Sequence, residues 1–370
     1  MTAATYRIER LVVPDALDSP AAADFLEFGE LCDAMSLAAW GNLDRATPAD
    51  ARLQFWCDNR YRQIRLFFVR QGGRMVARSW VRCELQENLG SALLHVEVLG
   101  EFTGRGIGSA LLRHAEELAA AEGRTILQSF TEHPADFDAG SPDTVRPATG
   151  AGALPAGAPG VRFARHAGYR LEQVERFSAL DLPAHAAGWD ALEREARAKA
   201  GQVYELLSWT GSCPDEYAEQ FALLMSRMST DVPTGELSVD AERWDVARVR
   251  HVEDTWQRAG LVSLVAVARH RHSGDLAAYS VLQLTPAKPW LADQDDTLVA
   301  ADHRGHRLGM LVKIINLRRL LAEYPAVERV ITYNAAENEH MLAINIALGF
   351  QPAGWDGEWQ RVVTGAPMER

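Results

Sequence analysis

Two short runs of residues in this chain have the types and spacing to bind an anion. HRGHRLG (303–309) and TGRGIG (103–108) each lie between an apolar, strand-like segment and an amphipathic, helix-like one. Small residues at such a junction let backbone N–H groups approach a ligand, and a helix start adds partial positive charge. Together they suit a diphosphate. Arg304, His306 and Arg307 add side-chain cations to the second run. A tight strand-to-helix turn with a solvated basic edge would read the same way if only one copy were present. Two copies in the same context favour the ligand.

The competing phosphate motifs fail on spacing. A dinucleotide-binding turn needs a third glycine at G-x-G-x-x-G in the first βα turn, with an acidic residue about twenty positions on. Gly106-x-Gly108 lacks that glycine and follows several strands. No Gly-Lys-Ser/Thr is present at either turn to make a Walker loop.

The turns belong to a longer repeat that must position them. LLHVEVLGEFTGRGIGSALLRHAEELAAAEGRTILQ (93–128) and TLVAADHRGHRLGMLVKIINLRRLLAEYPAVERVITY (297–333) share the order strand, turn, helix, strand. Each copy then closes on a short motif, HAGY at Gly168 and ALGF at Gly349. Self-similarity at this spacing predicts two copies of one domain. Ahead of the first turn, 20–40 and 48–63 have helical spacing and 65–71, 75–83 and 93–100 read as strands, with a hairpin at Gly72-Gly73. The second copy repeats this with helices at 214–228 and 240–258, then strands at 261–269 and 277–285 joined through Ser273-Gly274. Such an order predicts an α/β (α+β) layer on a mixed, mostly antiparallel sheet in each copy. The Ala/Gly/Pro-rich stretch 131–160 reads as a surface loop, and 181–202 as a linker with one short helix. The expected domains are 1–190 and 191–370.

Composition narrows the class. A chain of 370 residues with 47% hydrophobic and 24% charged content has material for two cores. A net charge of −12 argues against a broad nucleic-acid surface and is compatible with a cationic substrate. The four cysteines form no CxxC or metal spacing, and neither a basic-then-apolar leader nor a transmembrane-length run is present. The expectation is a cytoplasmic protein with no metal and no membrane or nucleic-acid partner. His270 and His272, near a hairpin turn, have no further ligands around them in sequence.

The strand–turn–helix resembles the acyl-CoA-binding signature of the GNAT superfamily, (Q/R)-x-x-G-x-(G/A). The run N-x-x-M-L-x-x-N-x-x-L-G-F (338–350) resembles that fold's closing helix and strand. The tandem arrangement resembles the two-domain GNAT proteins of actinobacteria, the architecture of mycothiol synthase. The resemblance implies acyl-CoA, most simply acetyl-CoA, as cofactor. It places the CoA diphosphate on the amides of Arg304, Gly305, His306, Arg307, Leu308 and Gly309. It places the acyl carbonyl at the strand end Leu298–Val299 and the pantetheine arm at Asn334 and Asn338. In the first copy the matching residues are Val98, Thr103, Gly104, Arg105, Gly106 and Gly108. That copy has Thr103 in the Q/R place and Thr131 or a neighbour where the second has Asn334, so it reads as the degenerate one.

The family's reaction is direct attack of an amine on the thioester, with a proton supplied to the leaving thiolate. The tyrosine that often supplies it stands four residues before the closing glycine. Here Asn345 and Ala164 stand there, and neither can supply a proton. Tyr333 is the substitute to consider, although a strand aromatic more often serves a core; the alternatives are a thiolate that leaves unprotonated or through water. For the base, Asp296 just precedes the strand residues that would face the acyl group, in an acidic run with Asp293 and Asp295. Glu253 and Glu337 are weaker alternatives. Asp231 and Glu236, in the segment joining the two helices of the second copy, are placed to receive a cationic amine. The expected function is acetyl transfer from acetyl-CoA to a small-molecule primary amine by a monomer or homodimer, with catalysis in the second copy. The rivals are a non-catalytic acyl-CoA sensor or scaffold and a protein-lysine acetyltransferase.

Overall fold

The computed structural model describes residues 6–363. They divide into two compact units, one of residues 6–174, 235–239 and 356–363, the other of 175–234 and 240–355.

Unit 1 opens with β1 (Ile8–Leu11), α1 (Ala23–Trp40) and α2 (Ala49–Phe55). Then come β2 (Arg62–Gln71), β3 (Arg74–Glu84), β4 (Ser91–Val98), α3 (Ile107–Ala121) and β5 (Ile126–Pro134). The helix expected over 48–63 ends at Phe55, because Arg62 already pairs with Glu84 across the β2–β3 hairpin. That hairpin turns through Gly72 and Gly73 at φ +59° and +84°, a left-handed pair that a side chain would strain. β1 to β4 are antiparallel neighbours, whereas β4 and β5 run parallel through the α3 crossover. Phe25, Phe28 and Met35 of α1 share a core with Leu66, Phe68, Met75, Ile107 and Leu111. The stretch expected as a loop carries the end of β5 and a small ribbon, β6 (Thr144–Val145) and β7 (Leu154–Pro155), before α4 (Pro159–His166).

β8 (Arg170–Asp181) is the first departure from a cut near 190. From Glu175 onward it belongs to unit 2 and pairs antiparallel with a strand of the second copy. The exchange is reciprocal, since residues from Asp356 onward belong to unit 1. There Arg45 clasps Asp356 with two hydrogen bonds of 3.0 and 2.7 Å, and the Trp359 indole donates to Thr131 Oγ1 at 2.9 Å. Residues 235–239 also join unit 1: a Cβ on Gly235 would stand 2.5 Å from the Glu172 carbonyl oxygen, so only glycine fits. Repeat matching finds which segments are alike; which sheet a terminal strand joins is decided by long-range pairing.

Unit 2 continues with α5 (Leu182–His185), α6 (Trp189–Ala200), β9 (Tyr204–Thr210), α7 (Asp215–Ser226) and α8 (Met228–Asp231). Next come α9 (Val246–Arg258), β10 (Val262–His270), β11 (Leu276–Leu284), β12 (Leu291–Val299) and α10 (Leu308–Glu323). β13 (Arg329–Ala335), α11 (Glu339–Leu348) and β14 (Gln351–Val362) close the chain. Residues 240–245, expected to open a helix, lie outside α9, which starts after the Asp245 N-cap, whose carboxylate accepts the Arg248 N–H. β9 to β12 are antiparallel neighbours, β12 and β13 are parallel through the α10 crossover, and β13 pairs antiparallel with β8. One face of this sheet is covered by Trp189, Leu308, Leu311, Leu317 and Phe350. The other packs Trp209, Phe221, Tyr279 and Leu298. Among the described residues no helix is long and apolar enough to cross a membrane. The mixed, mostly antiparallel sheet expected for each copy is present in each unit.

Candidate active site

The two anion turns share one backbone course. Gly104 and Gly305 lie at φ +71° and +84°, and two residues later Gly106 and Arg307 lie at +87° and +56°. Each pair drives the chain into a helix start, α3 or α10, whose first N–H groups have no partner within the helix. Arg307 adopts a conformation that costs a non-glycine residue about 1–2 kcal/mol. Its guanidinium reaches Glu195 at 2.8 Å, an exposed pair that returns little. Arg307→Gly is therefore expected to raise unit 2 stability by about 1 kcal/mol, read as a 2–4 °C higher Tm. An unchanged or lower Tm would mean that the side chain holds the turn.

Around the second turn the chain packs closely. Gly309 is buried, and a Cβ there would meet Ile344 Cδ1 at 3.2 Å and Val299 Cγ2 at 3.4 Å. Leu308 and Leu298 point into the core, so only their backbone faces a ligand. Arg304 hydrogen-bonds Val299 O at 3.4 Å and Asp231 O at 3.2 Å. The His306 ring lies 5.4 Å from that of Tyr204. In unit 1 the turn is occupied with itself. Thr103 Oγ1 donates to Gly100 O at 2.8 Å, Arg105 donates to Glu101 O at 2.8 Å, and Tyr6 caps the Arg105 carbonyl. Val98 pairs with Ala77, and Gly108 leaves ordinary contact distance to Val98 and Phe163.

Between the parallel strands the units differ. In unit 2 the β12–β13 pairing ends at Gln294 opposite Thr332, and the strands part beyond it. There β12 also bulges against β11. Ser280 faces Thr297 and Leu282 faces Gln294, so Asp295 and Asp296 together oppose Val281. A bulge of this kind re-aims side chains and frees ladder groups. Gln294 Nε2 pins it on Val281 O at 2.6 Å, and Asn316 of α10 donates to Ser280 O at 2.9 Å from below. A cavity of about 130 Å³ opens beside it. Asp295, Asp296 and Thr297 line it with Thr332, Tyr333, Asn334, Lys313 and Glu175, and Asn338 and Met341 of α11 close one side.

In unit 1 the strands also part, after Leu93 opposite Gln128, but the β3–β4 register runs unbroken from Ala77/Val98 to Arg82/Leu93. The His95 ring stacks on Phe130 at 4.4 Å and on Trp80 at 5.4 Å, spanning β3, β4 and β5. Its Nε2 lies 3.0 Å from Glu97, which also pairs with Arg78. Although burial opposes its charge, Arg78 and His95 hold the Glu97 carboxyl well below the usual carboxylate range. The mouth that is open in unit 2 is filled here.

Asp296 accepts a hydrogen bond from the buried Tyr279 hydroxyl at 3.0 Å. Burial pushes its carboxyl above the usual carboxylate range, with Tyr279 working against the rise. The more open Asp295 is pushed the same way by enclosure in the groove and by repulsion from Asp296 and Asp293. Tyr333 stacks on Phe177 at 5.1 Å while lining the cavity. Asn345 is fully buried and donates to Asn334 Oδ1 at 2.6 Å, so it fixes the Asn334 side chain. Asn338 Oδ1 accepts the Met341 N–H as N-cap of α11.

Three expected substrate residues are dispersed. Asp231 lies against Arg304 at 3.5 Å. Glu236 belongs to unit 1, where its N–H reaches toward Glu172 O at 3.5 Å. Glu253 is buried between the Cys213 N–H at 2.7 Å and Arg250 at 2.6 Å, and braces α9. None of the three lines the cavity. The residue missed is Lys313, whose signal is one charged residue inside the apolar run GMLVKIINL. It is 1% exposed, sits 5.6 Å over the Phe350 ring, and makes no hydrogen bond or ion pair among the described residues. Burial pulls its ammonium down from 10.5 to about 7.

Residues 33–139 match the acetyltransferase (GNAT) family. No curated protein matches the chain. Among solved structures, the chain is similar to a tandem GNAT protein from the clavulanic acid biosynthesis pathway. Identity is 24% with a TM-score of 0.73, covering 98% of this chain and 100% of that one. It is also similar to a GCN5-related N-acetyltransferase from Sphaerobacter thermophilus, at 15% identity, TM-score 0.57, and 93% and 94% coverage. A putative acetyltransferase from Pyrococcus horikoshii follows at 8% identity, TM-score 0.52, and 98% and 91% coverage. The family match falls on the first copy, which keeps both turn glycines, and the likeness to a tandem GNAT protein, which is one of fold, spans both copies.

Proposed function

We propose that unit 2 transfers an acyl group, most simply acetyl, from acyl-CoA to a small-molecule primary amine. The observation that carries this reading is the parted, bulged mouth between β12 and β13, opening beside a turn of free helix amides. The donor set fits the group: α10 amides and Arg304 suit a diphosphate, and the parted facing edges of β12 and β13 suit an amide-bearing arm. Bound there, acyl-CoA supplies an activated thioester carbonyl.

The chain's own residues do the rest. The strand end at Leu298–Val299 offers backbone to orient the carbonyl. Asp295, Asp296 and Glu175 make the cavity wall acidic, which suits a cationic amine. Asp296 is the base: a carboxyl raised toward neutrality, oriented by Tyr279, accepts a proton more readily than an ordinary one. With unit 1 filled by His95, Phe130 and Trp80, and its turn engaged by Thr103, Arg105 and Tyr6, that copy supports the fold.

Release of free thiol from acetyl-CoA, followed across a panel of primary amines, tests the assignment. Asp296→Asn is expected to lower kcat by about 100-fold or more while CoA affinity stays within a few-fold. Tight CoA binding with no thiol released for any amine would instead favour the sensor reading.

A further inference from the structure

Lys313 is a buried amine that the reading above does not use. It projects from α10 one helical turn beyond Gly309, on the face whose neighbours Leu317 and Leu320 are fully buried. Its side chain lines the same cavity as Asp296 and Asn334. A side chain of this kind is expensive to bury without a partner, and such a charge is found where something uses it. The cavity has a corresponding deficiency. Asn345, which stands where a proton donor would be expected, spends its amide on Asn334 and has no acid proton to give.

On the reading that unit 2 is an acyltransferase, we propose that Lys313 is the catalytic proton donor to the sulfur of the departing CoA. As the amine nitrogen bonds to the carbonyl carbon, Asp296 takes its proton. As the C–S bond breaks and sulfur keeps the electron pair, Lys313 Nζ–H gives its proton to that sulfur. The products are the amide and the free thiol. Asp296 is left protonated and Lys313 neutral, and exchange of one proton with water restores both. The two groups are suited to opposite roles: burial raises the carboxyl and lowers the ammonium, bringing both toward neutral pH. The other titratable groups facing the cavity are Glu175 from β8, Asp295 from β12 and Tyr333 from β13. α11 contributes only Asn338 and Met341 to the lining, and the α8 side contributes Met228, Val232 and Pro233.

The test compares wild type with Lys313→Met, an uncharged chain of similar length, and with Lys313→Arg, which keeps charge but cannot give up a proton near neutrality. Calorimetric titration of CoA in buffers of different ionisation enthalpy reads protons released on binding. A Lys313 ammonium beside the sulfur favours the thiolate, so wild type should release a fraction of a proton that Lys313→Met does not. CoA lacking its sulfur should release none with either protein. In turnover, both variants should lose kcat by about 100-fold or more with KM changed only a few-fold, and the fall of kcat above pH 7 should vanish. Equal proton release from wild type and Lys313→Met, or an unaltered alkaline limb, would overturn the role of Lys313 while leaving the acyltransferase reading intact. Failure of wild type to bind CoA at unit 2 would overturn that reading and the proposal with it.

Discussion

Lys313→Met should make the protein more stable, by as much as about 5 kcal/mol at pH 6.5. The Lys313 ammonium falls from 10.5 to about 7 on folding because burial strips it of water. A drop of that size corresponds to about 5 kcal/mol of unfavourable burial of the charged form. The sign follows from proton counts. Below pH 7 the lysine is charged in both folded and unfolded chains, so the whole penalty is present. Between about pH 7 and 10.5 the unfolded chain binds the extra proton, and stability rises with pH. The gain from Met should therefore shrink to about 1–2 kcal/mol at pH 9.5. Methionine fills similar volume without a charge, so it leaves no large cavity. Denaturant unfolding of both proteins at the two pH values checks this. A Met variant less stable than wild type at pH 6.5 would mean that the ammonium has a partner in solution. A group retained at such a cost is what a stability–function trade predicts for a working site.

Gly309→Val is expected to remove acyl-CoA binding from unit 2, lowering affinity by at least 100-fold. The first branch atom already meets Ile344 at 3.2 Å and Val299 at 3.4 Å, and valine adds two methyls beyond it. α10 must then move away from α11 and from the end of β12, the elements that flank the mouth. Overpacking of this kind costs about 1–3 kcal/mol, so the unit should still fold. Displaced helix amides lose the diphosphate. The control is Gly106→Val in unit 1, where φ is +87° and any side chain strains the turn. Calorimetric titration of acetyl-CoA into the three proteins separates the outcomes. Loss with Gly309→Val alone places the pocket in unit 2. Loss with Gly106→Val alone moves it to the copy that carries the family match and overturns the choice of active unit. Loss of one site with each variant would mean that two CoA molecules bind.

The first copy matches the family in sequence, while the second has the open mouth. The two observations concern different features. The family match includes the turn that keeps Gly104 and Gly106, whereas the second copy has Arg307 in the place of Gly106, also at positive φ. The mouth depends instead on whether β12 carries an extra residue and on which side chains cross the gap. His95, Phe130 and Trp80 look unremarkable as a sequence, yet together they fill the space between β4 and β5.

By itself the sequence determined whatever is local in origin. Apolar periodicity set the strand–turn–helix–strand repeat, and the glycine hairpin at Gly72-Gly73 and the turns at Gly104 and Gly305 followed from left-handed backbone needs. The closing N-x-x-M-L-x-x-N run marked the last helix, where Asn338 caps the start and Asn345 donates to Asn334. Tertiary structure decided what depends on partners far along the chain. Strand exchange moved the division of the chain from near 190 to Val174 and Asp356, since pairing of β8 with β13 is a long-range choice invisible to repeat matching. It set the Glu253 carboxylate against the Cys213 N–H and Arg250, and it put Glu236 in unit 1. It also brought Lys313, on the crossover helix, into a cavity with Asp296, seventeen residues earlier in the chain. A charge on an apolar helix stripe is legible in a sequence, but what that charge faces is known only once the helix is laid on its sheet.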